Sequence, residues 1–308
     1  MIWLVLGIGL YGITVVVSGV DNMQASLARM GIIGWASIIG LSTLNIVIRF
    51  VRWQHYLATL GHRIPNLLSL QYFLAGFAFT STPAKAGEAV RSLYLKKEGV
   101  RYTNSLAALF VERLTDLVAV ILLALAAAYS FEEYRWLVLL AGSMALSMLP
   151  LIHSQFLRDQ LMRASNRIAH ESIRNGLTHL VNLIYSAAAL LRSVPLYSGM
   201  VLSLLAAFCV SLMMYIVLIL LGVEISMSLA VGIYATGILA GALSFMPGGI
   251  GSAEAVMIGL LVLAGVELSL ATAATLICRI AALWYSIAVG IVIVLRLELS
   301  SKSQQEAG

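Results

Sequence analysis

Lys85, Glu88 and Arg91 lie within seven positions of one another inside membrane-length hydrophobic sequence. A charge deep in lipid costs about 3 kcal/mol or more per residue, so three this close must be paired, hydrated or protonated. On a helix starting after Pro83, Glu88 and Arg91 are three apart on one face and could pair. The cluster is then either a salt bridge that stiffens a hairpin near an interface, with Lys85 and Arg91 snorkelling, or a contact for an anionic headgroup. A second cluster, Glu112, Arg113 and Asp116, falls well inside the next apolar stretch. Glu112 and Asp116 are four apart, where like charges repel. Either a cation sits between them or one is protonated, and Arg113 is close enough to Asp116 for a local pair.

The third candidate is the run Pro247-Gly248-Gly249-Ile250-Gly251, followed by Glu254. Glycines let backbone N–H groups approach a ligand, and a helix N-terminus favours an anion. Gly248, Gly249 and Gly251 therefore form a candidate cradle for a phosphate or carboxylate near Arg279. Tight packing of a hairpin tip would need the same glycines. Glu254, in the first helical turn, suits the dipole and can cap free amides.

These clusters belong to a duplication. Glu88, Gly99, Val100, Ala107, Ala108 and Arg113 recur 166 positions later as Glu254, Gly265, Val266, Ala273, Ala274 and Arg279. The positions matching Glu112 and Asp116 are Cys278 and Ala282, so the arginine repeats and these acids do not. Hydrophobic segments interrupted by Pro and Gly at matching places in two halves point to a transporter's binding site.

The elements that must position these residues are membrane helices. Hydrophobic residues make up 61% of the 308, charged residues 11%, and the mean hydropathy is +0.97, against about 25% charged in a soluble domain. Stretches of about 20 apolar residues give full spans near 2–20, 32–58, 103–130, 135–152, 197–222 and 268–297. Residues 2–20 lack a basic leader and read as a retained span. Two stretches, 67–97 and 227–265, are broken at Pro83/Gly87 and at Pro247 to Gly251, and each half is too short to cross. The expectation is an all-α polytopic fold of about six spans plus two re-entrant broken hairpins, arranged as two inverted repeats.

The whole chain, 1–308, reads as a single transmembrane domain, with repeats at about 31–130 and 197–297, a cytoplasmic connector at about 153–195 and a disordered polar tail at 300–308. With both termini in the cytoplasm and each hairpin returning to its own side, Lys96, Lys97, Arg101, Arg158, Arg163, Arg167, Arg174 and Arg192 all fall inside, as the positive-inside rule asks. The net charge of +5 is thereby a topology signal rather than a nucleic-acid footprint. Arg49 and Arg52, near the end of the second span, read as snorkelling anchors. The five histidines lack metal-ligand spacing, and neither an ATP-binding nor a cofactor motif occurs.

The segments Pro83 to Arg91, Glu112-Arg113-x2-Asp116 and Pro247 to Glu254 resemble the lysylphosphatidylglycerol synthase transmembrane family, the flippase-like membrane proteins, over about residues 5–297. In its best-known members this region precedes a soluble aminoacyl-transferase domain; the chain stops at Gly308, so that domain is expected to be absent and the protein not an enzyme. The resemblance implies a flippase of the cytoplasmic membrane, moving a phospholipid, an aminoacyl-phospholipid or a polyprenyl-phosphate carrier by alternating access. Lys85, Arg91, Arg113, Arg279, Gly248, Gly249 and Gly251 would bind the headgroup, with Glu88, Glu112, Asp116 and Glu254 balancing charge and one of them carrying a coupling proton. Membrane lipids are the expected partners, with a homo-oligomer or a separate lipid-modifying enzyme as further ones. An ion-coupled transporter of a small solute and a membrane enzyme acting on a lipid phosphate are the rival readings.

Overall fold

A computed structural model describes chiefly residues 20–80, 82–130, 171–244 and 246–306. The expected spans at 2–20 and 135–152 lie outside the described residues, as does most of the connector before Glu171. Every regular element among the described residues is helical: α1 (Val20–Thr59), α2 (Asn66–Phe77), α3 (Arg91–Lys97), α4 (Tyr102–Ser130), α5 (Glu171–Leu190), α6 (Ser193–Leu220), α7 (Met227–Leu243), α8 (Ser252–Leu263), α9 (Leu268–Arg279) and α10 (Tyr285–Glu306). Three helical stretches, Met23–Thr59, Val194–Leu220 and Leu268–Leu299, are long and apolar enough to cross a membrane. Helix α4 has the length, with 29 residues, and carries the charges. The chain is a multi-pass, all-α membrane protein.

Several boundaries differ from the sequence reading, each for a local reason. Helix α1 starts at Val20 rather than near residue 32 and bends at Gly31, whose φ of 54° only glycine adopts freely. The segment Pro83–Val90 is a 3-10 helix, not the start of an α-helix. The expected span at 268–297 is interrupted after Arg279 by a π turn over Ile280–Trp284, a rare feature that concentrates at functional sites. The polar tail is helical to Glu306, because no Gly or Pro follows the apolar helix to stop its propagation.

Both broken segments are helix–break–helix units: α2 and α3 flank Pro83–Val90, while α7 and α8 flank a short turn at Pro247–Gly249. The members of each pair pack together, and the two breaks touch. Helices α1 and α6, which open the two repeats, are antiparallel. His55 meets Ser198, Asn45 donates to the Ala206 carbonyl, and Arg29 reaches the Leu221 carbonyl, so one residue number falls as the other rises. The first half of α1 packs into a core built by α6 to α9, and its second half into one built by α2 to α5. Helices α4 and α7 join the two through Ile121, Ala124, Ala235 and Leu239. Close approach comes from small residues, as in other membrane bundles: at Gly290 of α10 a Cβ would sit 2.2 Å from the Ala78 nitrogen.

Candidate functional site

Helix α4 brings Glu112, Arg113 and Asp116 against the first break, and the partners are not those that sequence proximity offers. Glu88 does not pair with Arg91. Instead Arg113 Nη2 donates to Glu88 Oε2 at 2.7 Å, and Thr80 Oγ1 donates to Glu88 Oε1 at 3.3 Å. Arg91 pairs with Glu112, its guanidinium 4.0 Å from the Trp53 ring centroid and 5.6 Å from that of Phe73. Local geometry would let the two pair, since residues three apart eclipse in a 3-10 helix; the exchange comes from tertiary partners, Glu112 with the Trp53 and Phe73 rings for Arg91 and Arg113 of α4 for Glu88.

Arg49 and Arg52 of α1 face inward, which corrects their reading as snorkelling anchors. Arg49 stands ten residues before the end of α1, about 15 Å along the axis, with its guanidinium carbon 5.2 Å from the Phe77 ring centroid. Arg52 is fully buried and donates to Asp116, Ser203 and Thr115. It is the cation that Asp116 needed, while Arg91 serves Glu112; the two carboxylates four apart thus each have their own arginine. Arg113 Nη1 also lies 3.6 Å from Asp116. Arg49 Nη2 is 3.9 Å from both Glu88 and Asp116, within ion-pair range and beyond hydrogen-bond reach.

The second break repeats one of these pairs. Arg279 Nε donates to Glu254 Oε1 at 2.6 Å, and Arg279 Nη2 donates to the Gly248 carbonyl at 2.8 Å. Glu254 also caps its own helix, its Oε2 accepting from the Gly251 N–H at 2.7 Å. The glycine tip is not an open cradle of amides. Gly249 N–H donates to Met246, Ile250 N–H to Pro247 and Gly251 N–H to Glu254. Close packing is what these glycines permit: a Cβ on Gly249 would come within 3.0 Å of Gly241 Cα.

Against the second break, and reaching Phe77 and Thr80 at the end of α2, lies a cavity of about 520 Å³. Its polar wall includes Asn45, Arg49, Arg113, Asp116 and Arg279 with Gly248 and Gly249; Phe77, Leu117, Ile238 and Leu283 are among its apolar lining. Of the expected site residues, Arg113, Arg279, Gly248, Gly249 and Asp116 therefore meet here. Arg91 and Glu112 are buried away from it, Glu88 and Glu254 stand behind its arginines, and Gly251 serves the α8 cap. The Lys85 side chain lies outside the described residues. Asn45 and Arg49 were missed by the sequence reading. Their signal was depth within α1, since Arg49 and Arg52 are three apart on one face. Among the described residues, His, Cys, Asp and Glu form no cluster able to hold a metal.

Residues 2–290 match the family described as "Lysylphosphatidylglycerol synthase TM region". A relative described as a "UPF0104 membrane protein", from Methanothermobacter thermautotrophicus, is 29% identical over 280 residues, which is 86% of this chain and 83% of that protein.

Proposed function

Because this chain belongs to the lysylphosphatidylglycerol synthase TM region family, we propose that it translocates a lipid with an anionic or phosphate headgroup across the cytoplasmic membrane. The observation that carries this reading is one cavity walled by the same arginine from each repeat, Arg113 and Arg279. Ionisable side chains within apolar spans are rare and mark substrate pathways even where they are paired, and a cavity at a repeat interface is where alternating-access carriers hold their cargo. The lining is part cationic and part apolar, as a headgroup entering with the start of its acyl chains requires.

In this reading α2–α3 and α7–α8 are re-entrant hairpins. Each enters and leaves the membrane on one side, their breaks meet at mid-depth, and both chain termini are cytoplasmic. Rocking one repeat against the other opens the cavity to each leaflet in turn. Glu88 and Glu254 hold Arg113 and Arg279 toward the cavity, and Asp116 is positioned to exchange partners among Arg49, Arg52 and Arg113 as the repeats move.

The test is a flip assay in proteoliposomes with a fluorescent-tailed phospholipid. The wild-type chain should scramble or transport the probe. The fourfold variant Arg113→Gln, Glu88→Gln, Arg279→Gln, Glu254→Gln removes both repeat pairs without stranding a charge, and it should fall to the protein-free rate. Equal rates for the two proteins would remove this cavity as the lipid path.

A further inference from the structure

We propose that a second cavity, at the start of α4, is a binding site for a phosphate group, presented by the headgroup of an anionic lipid at the membrane surface. Its described lining shares no residue with the cavity of the arginine pairs. The inference goes beyond the lipid-transport reading and does not depend on it.

This cavity, of about 540 Å³, lies where the turn from α3 to α4 meets α5. Lys96 closes α3 and Arg101 precedes α4, while α5 contributes His179, Asn182 and Ser186. None of the described lining residues is acidic. Among the described residues neither Lys96 nor Arg101 forms an ion pair. Glu98, between them in sequence, accepts from the Tyr72 hydroxyl at 3.0 Å. Lys96 Nζ instead lies 5.0 Å from the Tyr102 ring centroid. The lining also includes Tyr102 and Thr103, which open a 29-residue helix. The first amides of a helix have no intrahelical acceptor and sit at the positive end of its dipole.

A loop cation that only sets topology needs no cavity around it. Here two cations, a helix N-terminus and uncharged polar side chains from a separate helix converge on one space. The walls are also tied together: Ser186 Oγ donates to Asn104 Oδ1 at 3.0 Å, and Asn104 Nδ2 meets His62 Nε2 at 2.8 Å, so α5, α4 and the turn after α1 are linked. A phosphate suits this set, since a guanidinium forks onto two of its oxygens while an ammonium and helix amides take the others. The exposed rings of Tyr102 and Tyr185 border the cavity. Tyrosines beside cations are the composition of the membrane–water interface, where lipid phosphate is the abundant anion. From Thr103 to Arg113 is ten residues, about 15 Å along α4, so one helix carries both cavities at different depths.

The experiment uses the full chain in non-ionic detergent with two photoreactive probes, phosphatidic acid and the phosphate-free diacylglycerol of the same chains. Labelled peptides are mapped by mass spectrometry. Phosphatidic acid should label residues 96–104 or 179–186 about tenfold more than diacylglycerol does, the size of one charge-assisted hydrogen-bond pair. Lys96→Gln with Arg101→Gln should abolish that excess, while Lys96→Arg with Arg101→Lys should keep most of it. The fourfold variant of the arginine pairs should label these peptides like wild type. Equal labelling by the two probes, or an excess that survives in Lys96→Gln with Arg101→Gln, would overturn the assignment. Saturable binding of radiolabelled inorganic phosphate without any lipid labelling would make a soluble phosphate the ligand and overturn the lipid part. Labelling requires no transport, so a chain that moves no lipid would sink the flippase reading and leave this result to stand or fall alone.

Discussion

Arg279 Nε sits 2.6 Å from Glu254 Oε1, and the positions 166 residues earlier, Arg113 and Glu88, form the same ion pair at 2.7 Å. One pair thus closes each helix–break–helix unit onto the helix that follows it. The second is the more enclosed: the Arg279 side chain is 4% exposed and that of Arg113 26%. Removing one partner of a buried pair costs about 3–5 kcal/mol because the other charge is stranded.

Glu254→Gln should therefore lower the melting temperature in detergent sharply, and more than Glu88→Gln, whose Arg113 keeps Asp116 at 3.6 Å and access to water. The double variant Glu254→Gln with Arg279→Gln should recover most of the loss. Circular dichroism melts of wild type, the two glutamate variants, Arg279→Gln and the double variant check it; an additive double variant would mean that the two side chains are not coupled.

Arg91 and Glu112 are 1% and 0% exposed and do not line the cavity. Replacing a buried pair by apolar residues of similar size is often neutral or stabilising by about 1–4 kcal/mol. The double variant Arg91→Met with Glu112→Leu should melt no lower than wild type and keep its flip rate, whereas Arg91→Met alone should unfold early. A stable double variant that no longer transports would return Arg91 to the binding site.

Glycine positions separate by what surrounds them. At Gly290 a Cβ would press into the backbone at Ala78 and Phe77, whereas at Gly34 it would meet the ends of the Leu220 and Met30 side chains. Gly290→Ala should cost at least about 1–3 kcal/mol through overpacking. Gly34→Ala should be near neutral, since moving flexible side chains is offset by about 0.5–1 kcal/mol of helix propensity. Thermal melts of the two single variants give the comparison directly.

The duplication and the two breaks were legible in the sequence because Pro, Gly and buried charges are sparse in apolar sequence and therefore register against one another. What was not legible was who pairs with whom. Glu88 and Arg91 are three apart on the chain, yet tertiary packing gives them different partners on α4, Arg113 and Glu112. Arg49 and Arg52 looked like interface anchors because the groups that hold them inside, Asp116, Thr115 and Ser203, are far away in sequence and nothing near the two arginines announces them. The Gly248 to Gly251 tip could have been a nest or a packing point. Only the hydrogen bonds of the folded tip show the amides of Gly249, Ile250 and Gly251 already engaged.

His62 lies in the turn between α1 and α2, beside Asn104 and facing Arg101. Partial burial, then the positive charge of Arg101, holds its pKa below the ordinary histidine value of 6.5. The folded chain resists a proton that the unfolded chain accepts, so stability should decline as pH falls through about 6.5. The decline should be small, because the ring is only partly buried. His62→Gln should flatten the difference between melts at pH 7.5 and 5.5, and Arg101→Gln should reduce it. A slope unchanged in His62→Gln would assign it to other groups.

Ala242, near the end of α7, lines the cavity with an exposed methyl group. An indole there would project into this space without displacing a packed side chain. Surface substitutions away from packed features usually stay within about 0.5 kcal/mol, so Ala242→Trp should melt like wild type. If lipid passes through this space, the flip rate should drop toward that of protein-free vesicles, and Ala242→Ser should restore it. The pair separates a steric block from damage to the fold, because both variants keep every ion pair of the network. A wild-type rate in Ala242→Trp would place the lipid path elsewhere on the molecule, whatever the arginines do.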